Sequence, residues 1–191
     1  MGVRVCPIDR RLVLKDGVRA CMALAWAPAL ALGQDDPAAR RPQVGDVLVK
    51  AGDASLTPLT PGDIRVGVAQ TAAWAMDLAD RTVRKASRLN LIVLVRLDAD
   101  GVSAETAGRA ADGVVAYTAI CTHSGCEVED WLADERVLYC SCHASKFDPR
   151  DGGKVVDGPA PRSLPALPLA LSDGRLVVAK PFTSRVGFEP V

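Results

Sequence analysis

The stretch that decides the fold begins at Cys121 with CTHSGC, continues through thirteen residues (EVEDWLADERVLY), and ends with CSCHAS at Ser145. Each end supplies a cysteine, a histidine and a second cysteine. The chain has two histidines and six cysteines, and both histidines and four of the cysteines lie here. This concentration of soft ligands predicts a metal site on two loops, with a strand at 136–139 leading into the second loop.

The spacing alone leaves two kinds of metal site open. Two thiolates and two imidazoles can hold a tetrahedral zinc ion. The same set can hold a [2Fe–2S] cluster, with two cysteines on one iron and two histidines on the other. Zinc leaves Cys126 and Cys142 without a role.

The motifs Cys-Thr-His-x-Gly-Cys and Cys-x-Cys-His-x-Ser resemble the Rieske iron–sulfur family, in its high-potential, disulfide-containing branch. The resemblance covers residues 114–163. It implies a [2Fe–2S] cluster held by four ligands: Cys121 and Cys140 on the buried iron, His123 and His143 on the outer iron. It also implies a disulfide between Cys126 and Cys142 that clamps the two loops, and a hydrogen bond from Ser145 to a bridging sulfide.

This ligand set suits electron transfer. Neutral imidazoles in place of two thiolates make the cluster less negative, which raises its reduction potential. Because the imidazoles face the partner and can lose protons, the resemblance implies that reduction couples to proton uptake. The segment Gly158-Pro159-Ala160-Pro161 resembles the family's proline loop, which covers the cluster from a third side.

The sequence departs from the quinol-oxidising members of the family at four positions. Phe147 replaces a tyrosine that donates to a ligand sulfur, so we expect a lower reduction potential. Ser124 replaces a bulky leucine at the tip, and a polar tip fits an apolar quinol pocket poorly. Ala144 replaces a glycine, and Lys146 adds a positive charge beside the second loop.

The rest of the chain is typical of one modest domain with an appendage. It has 191 residues, no net charge and 49% hydrophobic residues, so no basic excess indicates nucleic acid. Few aromatic residues and thirteen prolines favour a loop-rich β protein. An acidic cluster lies between the motifs and is interpreted as a solvated hairpin, with steering of a basic cytochrome as the alternative: Glu127, Glu129, Asp130, Asp134 and Glu135.

Residues 1–33 are predicted to be an export segment. Arg10 and Arg11 resemble a twin-arginine signal, followed by an apolar run at 20–32 and small residues suited to cleavage. The run is short for a membrane span and contains Pro28, which favours a cleaved signal over an uncleaved anchor through residues 17–33. The expected location is the periplasm, which permits a disulfide.

We expect a linker at 34–43 and a Rieske domain at 44–191, with a cluster-binding subdomain at 114–163. Candidate strands lie at 47–49, 64–68, 89–97, 114–120 and 154–156, and a hairpin at 167–180 turns at Asp173-Gly174. One turn of helix is expected within 104–110, and Trp74 and Met76 are expected in the β core. The predicted fold is all-β, with stacked antiparallel sheets and an inserted cluster-binding subdomain.

Three classes of function are compared. An electron carrier needs only the cluster ligands, whereas an oxygenase needs a second iron with further histidines, which this chain lacks. A zinc-stabilised interaction module predicts a colourless protein. A ferredoxin that supplies a dioxygenase is a variant of the carrier, but that branch usually lacks the disulfide cysteines and the export signal.

Two partners remain open. The leader, the disulfide motif, Ser124, Phe147 and the segment at 112–117 are similar to the small subunit of the arsenite oxidase family. That resemblance implies a molybdenum-containing catalytic subunit and a c-type cytochrome as redox partners. The alternative is the iron–sulfur subunit of a quinol:cytochrome c reductase, whose partner is a cytochrome b. The sequence does not identify the primary substrate.

Overall fold

The computed structural model describes residues 36–68 and 70–188, so the predicted export segment lies outside the described residues. Within those two ranges, short strands form two antiparallel sheets, and the one α-helix has a single turn. The prediction of an all-β fold is confirmed. No helix in the described ranges is long and apolar enough to cross a membrane.

Ten described strands build the two sheets. In chain order they are β1 (Val47–Lys50), β2 (Thr71–Met76), β3 (Ile92–Arg96), β4 (Val114–Thr118), β5 (Asp130–Leu132), β6 (Val137–Cys140), β7 (Ser145–Asp148), β8 (Lys154–Asp157), β9 (Leu169–Ser172) and β10 (Arg175–Val178). The six-stranded sheet has the order β4-β3-β2-β1-β10-β9, and the four-stranded sheet has the order β5-β6-β7-β8. Helix α1 is Ala104–Ala107, and 3₁₀ turns occupy Pro37–Ala39, Pro61–Asp63 and Arg88–Asn90.

Strand β3 is buried on both faces, which explains its unbroken apolar sequence. Ile92 and Leu94 point into the core of the six-stranded sheet. Val93 and Val95 point the other way, into a second core that also contains Leu138 and Phe147 of the four-stranded sheet. Strand β4 alternates in the same way because successive side chains of a strand point to opposite faces. These two strands therefore form a wall shared by both cores.

Several predicted elements are present with shifted bounds. The strand expected at 89–97 begins only at Ile92, since Arg88–Asn90 forms a 3₁₀ turn. The terminal hairpin turns at Asp173-Gly174 as predicted, with Arg175 paired to Ser172. Met76 is fully buried and Trp74 packs against the same small cluster.

The strand predicted at 64–68 is wrong. Asp63 accepts a hydrogen bond from the backbone amide of Thr60 (2.7 Å), and this contact begins a 3₁₀ turn at Pro61. Ile64 caps that turn and is buried, whereas Val66 and Val68 are exposed and Val66 makes only an isolated bridge. Local turn formation therefore overrides the β-branched composition.

The structure also moves the edge of the predicted cluster-binding subdomain. Strand β4, expected to belong to that subdomain, pairs with β3 at the edge of the six-stranded sheet. Its alternating residues must fill both cores, so it cannot belong to the smaller sheet alone. The four-stranded sheet begins only at Asp130.

The described part of the predicted linker is held against the domain. The side chain of Arg41 donates to the Leu89 carbonyl oxygen (2.7 Å), and the amide of Asn90 donates to the Arg40 carbonyl oxygen (2.6 Å). Nearby, Arg84 forms a buried two-pronged ion pair with Asp46. These contacts tie residues 37–41 to the start of β3.

Candidate metal centre

The first ligand loop follows β4 in the chain. Val115, Tyr117, Ala119 and Cys121 occur at every second position, and all four are buried in the core shared with the four-stranded sheet. The backbone then folds back, with the Cys121 amide donating to the Cys126 carbonyl oxygen (2.8 Å). The alternation thus delivers the Cys121 thiol to the interior and the following residues to the surface.

The second loop connects β6 to β7. Cys140 at the end of β6 pairs across the hairpin with Ser145 at the start of β7, and both are buried. The four residues between them are exposed, including Cys142, His143 and Ala144. Ala144 has a φ of 61°, a left-handed conformation that favours glycine.

The two loops bring the four predicted ligands together. Cys121 and Cys140 are free thiols, both buried and in contact with each other. Burial raises the pKa of the Cys140 thiol, and the neighbouring Cys121 raises it further. The rings of His123 and His143 lie edge to face, 4.6 Å between centroids. Two sulfur donors therefore lie inside and two nitrogen-bearing rings lie nearer the surface.

Two buried polar atoms at this centre lack a hydrogen-bond partner within the described part of the chain: His123 Nδ1 and Ser145 Oγ. A buried polar atom without a partner is costly, so each calls for an explanation. A group held between the loops explains both atoms, because a histidine nitrogen can bind a metal and a serine hydroxyl can donate to a sulfide. The donor set and these two atoms fit a [2Fe–2S] cluster.

A disulfide joins the two loops. It connects Cys126 of the first loop to Cys142 of the second, with their Cα atoms 6.6 Å apart. The sulfur atoms of both residues and of Cys140 lie within 4.8 Å of one another. The covalent link therefore sits beside a predicted ligand and limits how far the loops can separate.

A third segment, the predicted proline loop, covers the second ligand loop. A Cβ placed on Gly158 would lie 2.6 Å from both the Ala144 carbonyl oxygen and Ser145 Cα. Only glycine permits this approach, and its φ of 84° is also one that glycine adopts readily. Further along, the Arg162 carbonyl oxygen accepts a hydrogen bond from Thr122 Oγ1 (2.7 Å), which ties the segment to the first loop.

The C-terminal segment is a fourth element of the site, and no sequence pattern predicted it. The Phe188 ring packs on Gly125, close enough that a Cβ there would lie 3.0 Å from Cδ1. Arg162 Nη2 donates to the Gly187 carbonyl oxygen. Because these contacts join residues far apart in the chain, no local pattern of apolar or turn residues predicts them.

Besides Ala144, the other three departures from quinol-oxidising relatives fall in distinct environments. Ser124 is exposed at the tip, its Oγ 3.5 Å from His143 Nδ1. Phe147 is fully buried in the shared core. The positive charge of Lys146 is paired with carboxylates, since its Nζ lies 2.9 Å from Glu135 and 3.6 Å from Asp157.

The predicted acidic cluster is partly neutralised. Glu135 pairs with Lys146, and this contact is the main reason that the pKa of Lys146 is raised. Glu127 lies 3.6 Å from Arg88. The remaining members, Glu129, Asp130 and Asp134, are exposed.

A cavity of about 500 Å³ lies elsewhere, lined by Arg96, Leu97, Val102 and Asp112 among others. It contains none of the predicted ligands. The chemistry of the site is therefore concentrated on the two loops rather than in this cavity.

Comparison with known proteins identifies the class. The sequence pattern of the Rieske [2Fe-2S] domain matches residues 73–168, half of the chain. The protein belongs to this family, whose domain binds a [2Fe–2S] cluster.

Two curated relatives and one solved structure give the nearer context. A cytochrome bc1 complex Rieske iron–sulfur subunit from Streptomyces lividans is 32% identical over 133 residues, 68% of this chain and 78% of the relative. A protein from Haloferax mediterranei, named as the Rieske subunit of a respiratory nitrate reductase, is 45% identical over 76 residues. That match spans 39% of this chain and only 34% of the relative. The plasma membrane Rieske protein of Synechocystis PCC 6803 is 27% identical with a TM-score of 0.37, covering 47% of this chain and 77% of that structure.

Proposed function

We propose that this protein is the electron-transfer subunit of an oxidoreductase complex. The observation that carries the proposal is the centre formed by the two loops, which holds two free thiols in contact, two imidazoles packed edge to face, and two buried polar atoms without a partner among the described residues. A [2Fe–2S] cluster bound there supplies reversible one-electron transfer. The comparisons support this class of function, because both relatives are named as Rieske subunits of respiratory enzymes.

The ligands are assigned from the burial of each donor. The buried thiols of Cys121 and Cys140 would hold the inner iron, and the rings of His123 and His143 would hold the outer iron. Since His143 is exposed, electrons enter and leave through the histidine side of the site. Ser145 donates a hydrogen bond to the bound group, which stabilises the reduced state.

The remaining residues of the centre hold it rigid. The Cys126–Cys142 disulfide, the close packing of Gly158 on the second loop and the bond from Thr122 to Arg162 fix the loops from three directions. Little movement of the protein is then needed when the charge of the site changes. A small reorganisation favours rapid transfer.

The partner in this proposal is a molybdenum-containing catalytic subunit of the arsenite-oxidase kind, with a c-type cytochrome as the electron acceptor. The exposed Ser124 at the tip supports it, because a hydroxyl beside His143 suits a polar docking surface better than an apolar quinol pocket. A second candidate is the iron–sulfur subunit of a quinol:cytochrome c reductase, with a cytochrome b as the partner. The bc1 subunit of Streptomyces lividans favours it, since that similarity extends over 68% of this chain.

The location in this proposal is the periplasm, reached through the twin-arginine segment at 1–33. The Cys126–Cys142 disulfide supports an oxidising compartment. Amino-terminal sequencing of the mature protein after expression with its leader tests export, and a chain recovered only from the cytoplasm contradicts it.

The ligand assignment is tested by exchanging each histidine for alanine. We expect His123→Ala and His143→Ala to abolish the visible absorption and the paramagnetic signal of the reduced protein, with about two iron and two sulfide per chain lost in assay. Ser141→Ala is the matched control, because Ser141 is exposed in the same loop but offers no predicted ligand. A histidine variant that keeps both signals refutes the assignment.

The partner is tested by native purification of the full chain from its own host. Recovery of a large molybdenum-bearing subunit supports the first arrangement. Recovery of a b-type cytochrome supports the second and contradicts the interpretation of Ser124.

A further inference from the structure

Arg162 lies where three parts of the site meet. Its carbonyl oxygen accepts a hydrogen bond from Thr122, the residue between Cys121 and His123. Its Nη2 donates to the Gly187 carbonyl oxygen, and the next residue, Phe188, packs on Gly125 of the first loop. The Arg162 backbone therefore contacts the first ligand loop, and its guanidinium contacts the C-terminal segment, whose Phe188 packs on that loop.

No carboxylate within residues 36–68 and 70–188 neutralises the charge of Arg162. The side chain is half-buried, and it makes no ion pair with any acidic residue in the described part of the chain. Its Nη1 is buried with no hydrogen-bond partner among those residues. The buried Arg84 shows the contrast, since Asp46 binds its guanidinium with two hydrogen bonds.

An unpaired cation in this position is costly for folding alone. A half-buried charge loses hydration, and the hydrogen bond to the Gly187 carbonyl oxygen offsets that loss less than an opposite charge would. The free-energy cost of burying the guanidinium falls when the negative charge of a neighbouring group increases. Reduction brings one negative charge to the adjacent centre, so the guanidinium stabilises the reduced state more than the oxidised state.

We propose that Arg162 is a positioning residue with an electrostatic role: its unpaired guanidinium raises the reduction potential of the centre while its hydrogen bonds hold the first loop and the C-terminal segment. This inference rests on the proposed function, because it requires a one-electron group between the loops. It assigns a role to a residue outside both ligand motifs.

The test is the reduction potential of the purified, cluster-loaded protein, measured by voltammetry on Arg162→Gln and Arg162→Lys. Arg162→Gln should lower the equilibrium constant for reduction about tenfold, which for a one-electron couple is about 59 mV. Arg162→Lys keeps the charge and should retain most of the wild-type potential. Arg175→Gln is the control, since it removes the same charge from the distant β9–β10 turn, where Arg175 is paired with Asp173. It should leave the potential unchanged.

The outcomes separate an electrostatic role from a structural one. Equal shifts in Arg162→Gln and Arg162→Lys, or a shift in Arg162→Gln no larger than in Arg175→Gln, overturn the inference. Amide hydrogen exchange at Gly125, whose amide donates to the Cys121 carbonyl oxygen in the loop that Phe188 contacts, reports the hydrogen-bonding role separately, and faster exchange in Arg162→Gln is expected. If the wild-type protein shows no one-electron signal, the proposed function itself fails. If the signal is present and insensitive to Arg162, only the present inference fails.

Discussion

At the level of single residues, Phe147 is a position where adding one hydroxyl group is expected to change the reduction potential of the centre. It is fully buried in the core that lines the second loop. Phe147→Tyr adds a hydroxyl that can donate to a ligand sulfur and so stabilise the reduced state. We expect the reduction potential to rise; a bond that differs by about 1.4 kcal/mol between the two redox states corresponds to about 59 mV.

Voltammetry of the loaded protein measures this change. Phe147→Leu is the control for altered packing and should not raise the potential. An unchanged potential in Phe147→Tyr would show that the ring edge points away from the ligand sulfurs.

Ala144 is a second residue whose substitution has a clear sign. Its φ of 61° costs an alanine about 1–2 kcal/mol, and glycine avoids that cost while losing about 0.5–1 kcal/mol of chain entropy. Ala144→Gly should therefore stabilise the protein by about 0.5–1 kcal/mol in urea unfolding. Ala54→Gly is the matched control: Ala54 is also exposed but does not have a positive φ, so the same change should destabilise. A loss of stability in Ala144→Gly contradicts the strained conformation.

The sequence singled out candidate residues where the expected role depends on chemical type. Cys121, His123, Cys140 and His143 stand out because both histidines and four of the six cysteines fall within residues 121–145, and the structure places the two thiols together and the two rings together. It did not identify Arg162 or Phe188, because an arginine and a phenylalanine are ordinary residues until the fold places them beside the first loop.

At the level of elements, the disulfide holds two loops that come from different sheets. It closes a loop with a sequence separation of 16 residues, for which the chain-entropy relation gives about 3 kcal/mol of stabilisation. Replacing Cys126 and Cys142 together by serine should lower the free energy of unfolding by about that amount. The visible absorption should form initially, because neither residue is an assigned ligand, and then decay faster on heating than in the wild type.

The decay of absorption at a fixed temperature measures the kinetic effect. Wild-type protein treated with a thiol reductant should approach the rate of the double variant. Failure of the double variant to form any visible absorption would mean that the disulfide cysteines take part in ligation.

The elements were predictable where local pattern and tertiary environment agree. The β9–β10 hairpin follows from Asp173-Gly174 between apolar runs, and β4 follows from its continuous run of mostly apolar residues. The strand expected at 64–68 failed because Thr60 and Asp63 form a turn that composition alone does not reveal. The membership of β4 also could not be predicted, since an all-apolar strand gives no sign of which sheet it joins.

At the level of the whole molecule, Tyr117 joins the two sheets. It lies on β4, and its hydroxyl donates to the Pro149 carbonyl oxygen (2.8 Å) just beyond β7. Burial raises the pKa of Tyr117 to about 12, so the folded protein keeps the phenol neutral while the unfolded chain ionises near pH 10. The unfolded state therefore gains stability as pH rises from 10 to 12, and the fold loses roughly 3 kcal/mol over that window.

Urea unfolding of wild type and Tyr117→Phe at pH 8 and pH 11 measures this effect. At pH 8 the variant should be less stable by about 1–3 kcal/mol, because the buried Pro149 oxygen loses its donor. At pH 11 the difference should shrink, since the variant has no phenol to ionise. A difference that is independent of pH contradicts the assigned pKa shift.

The packing of β3 and β4 against both cores limits how this redox centre could be grafted into another protein. A fragment that runs from the first ligand loop to the proline loop would expose Leu138 and Phe147 to solvent. Its removal would expose Val93 and Val95 on the remaining sheet. Neither half would be a self-sufficient module, so a graft into another scaffold has to carry both wall strands with it.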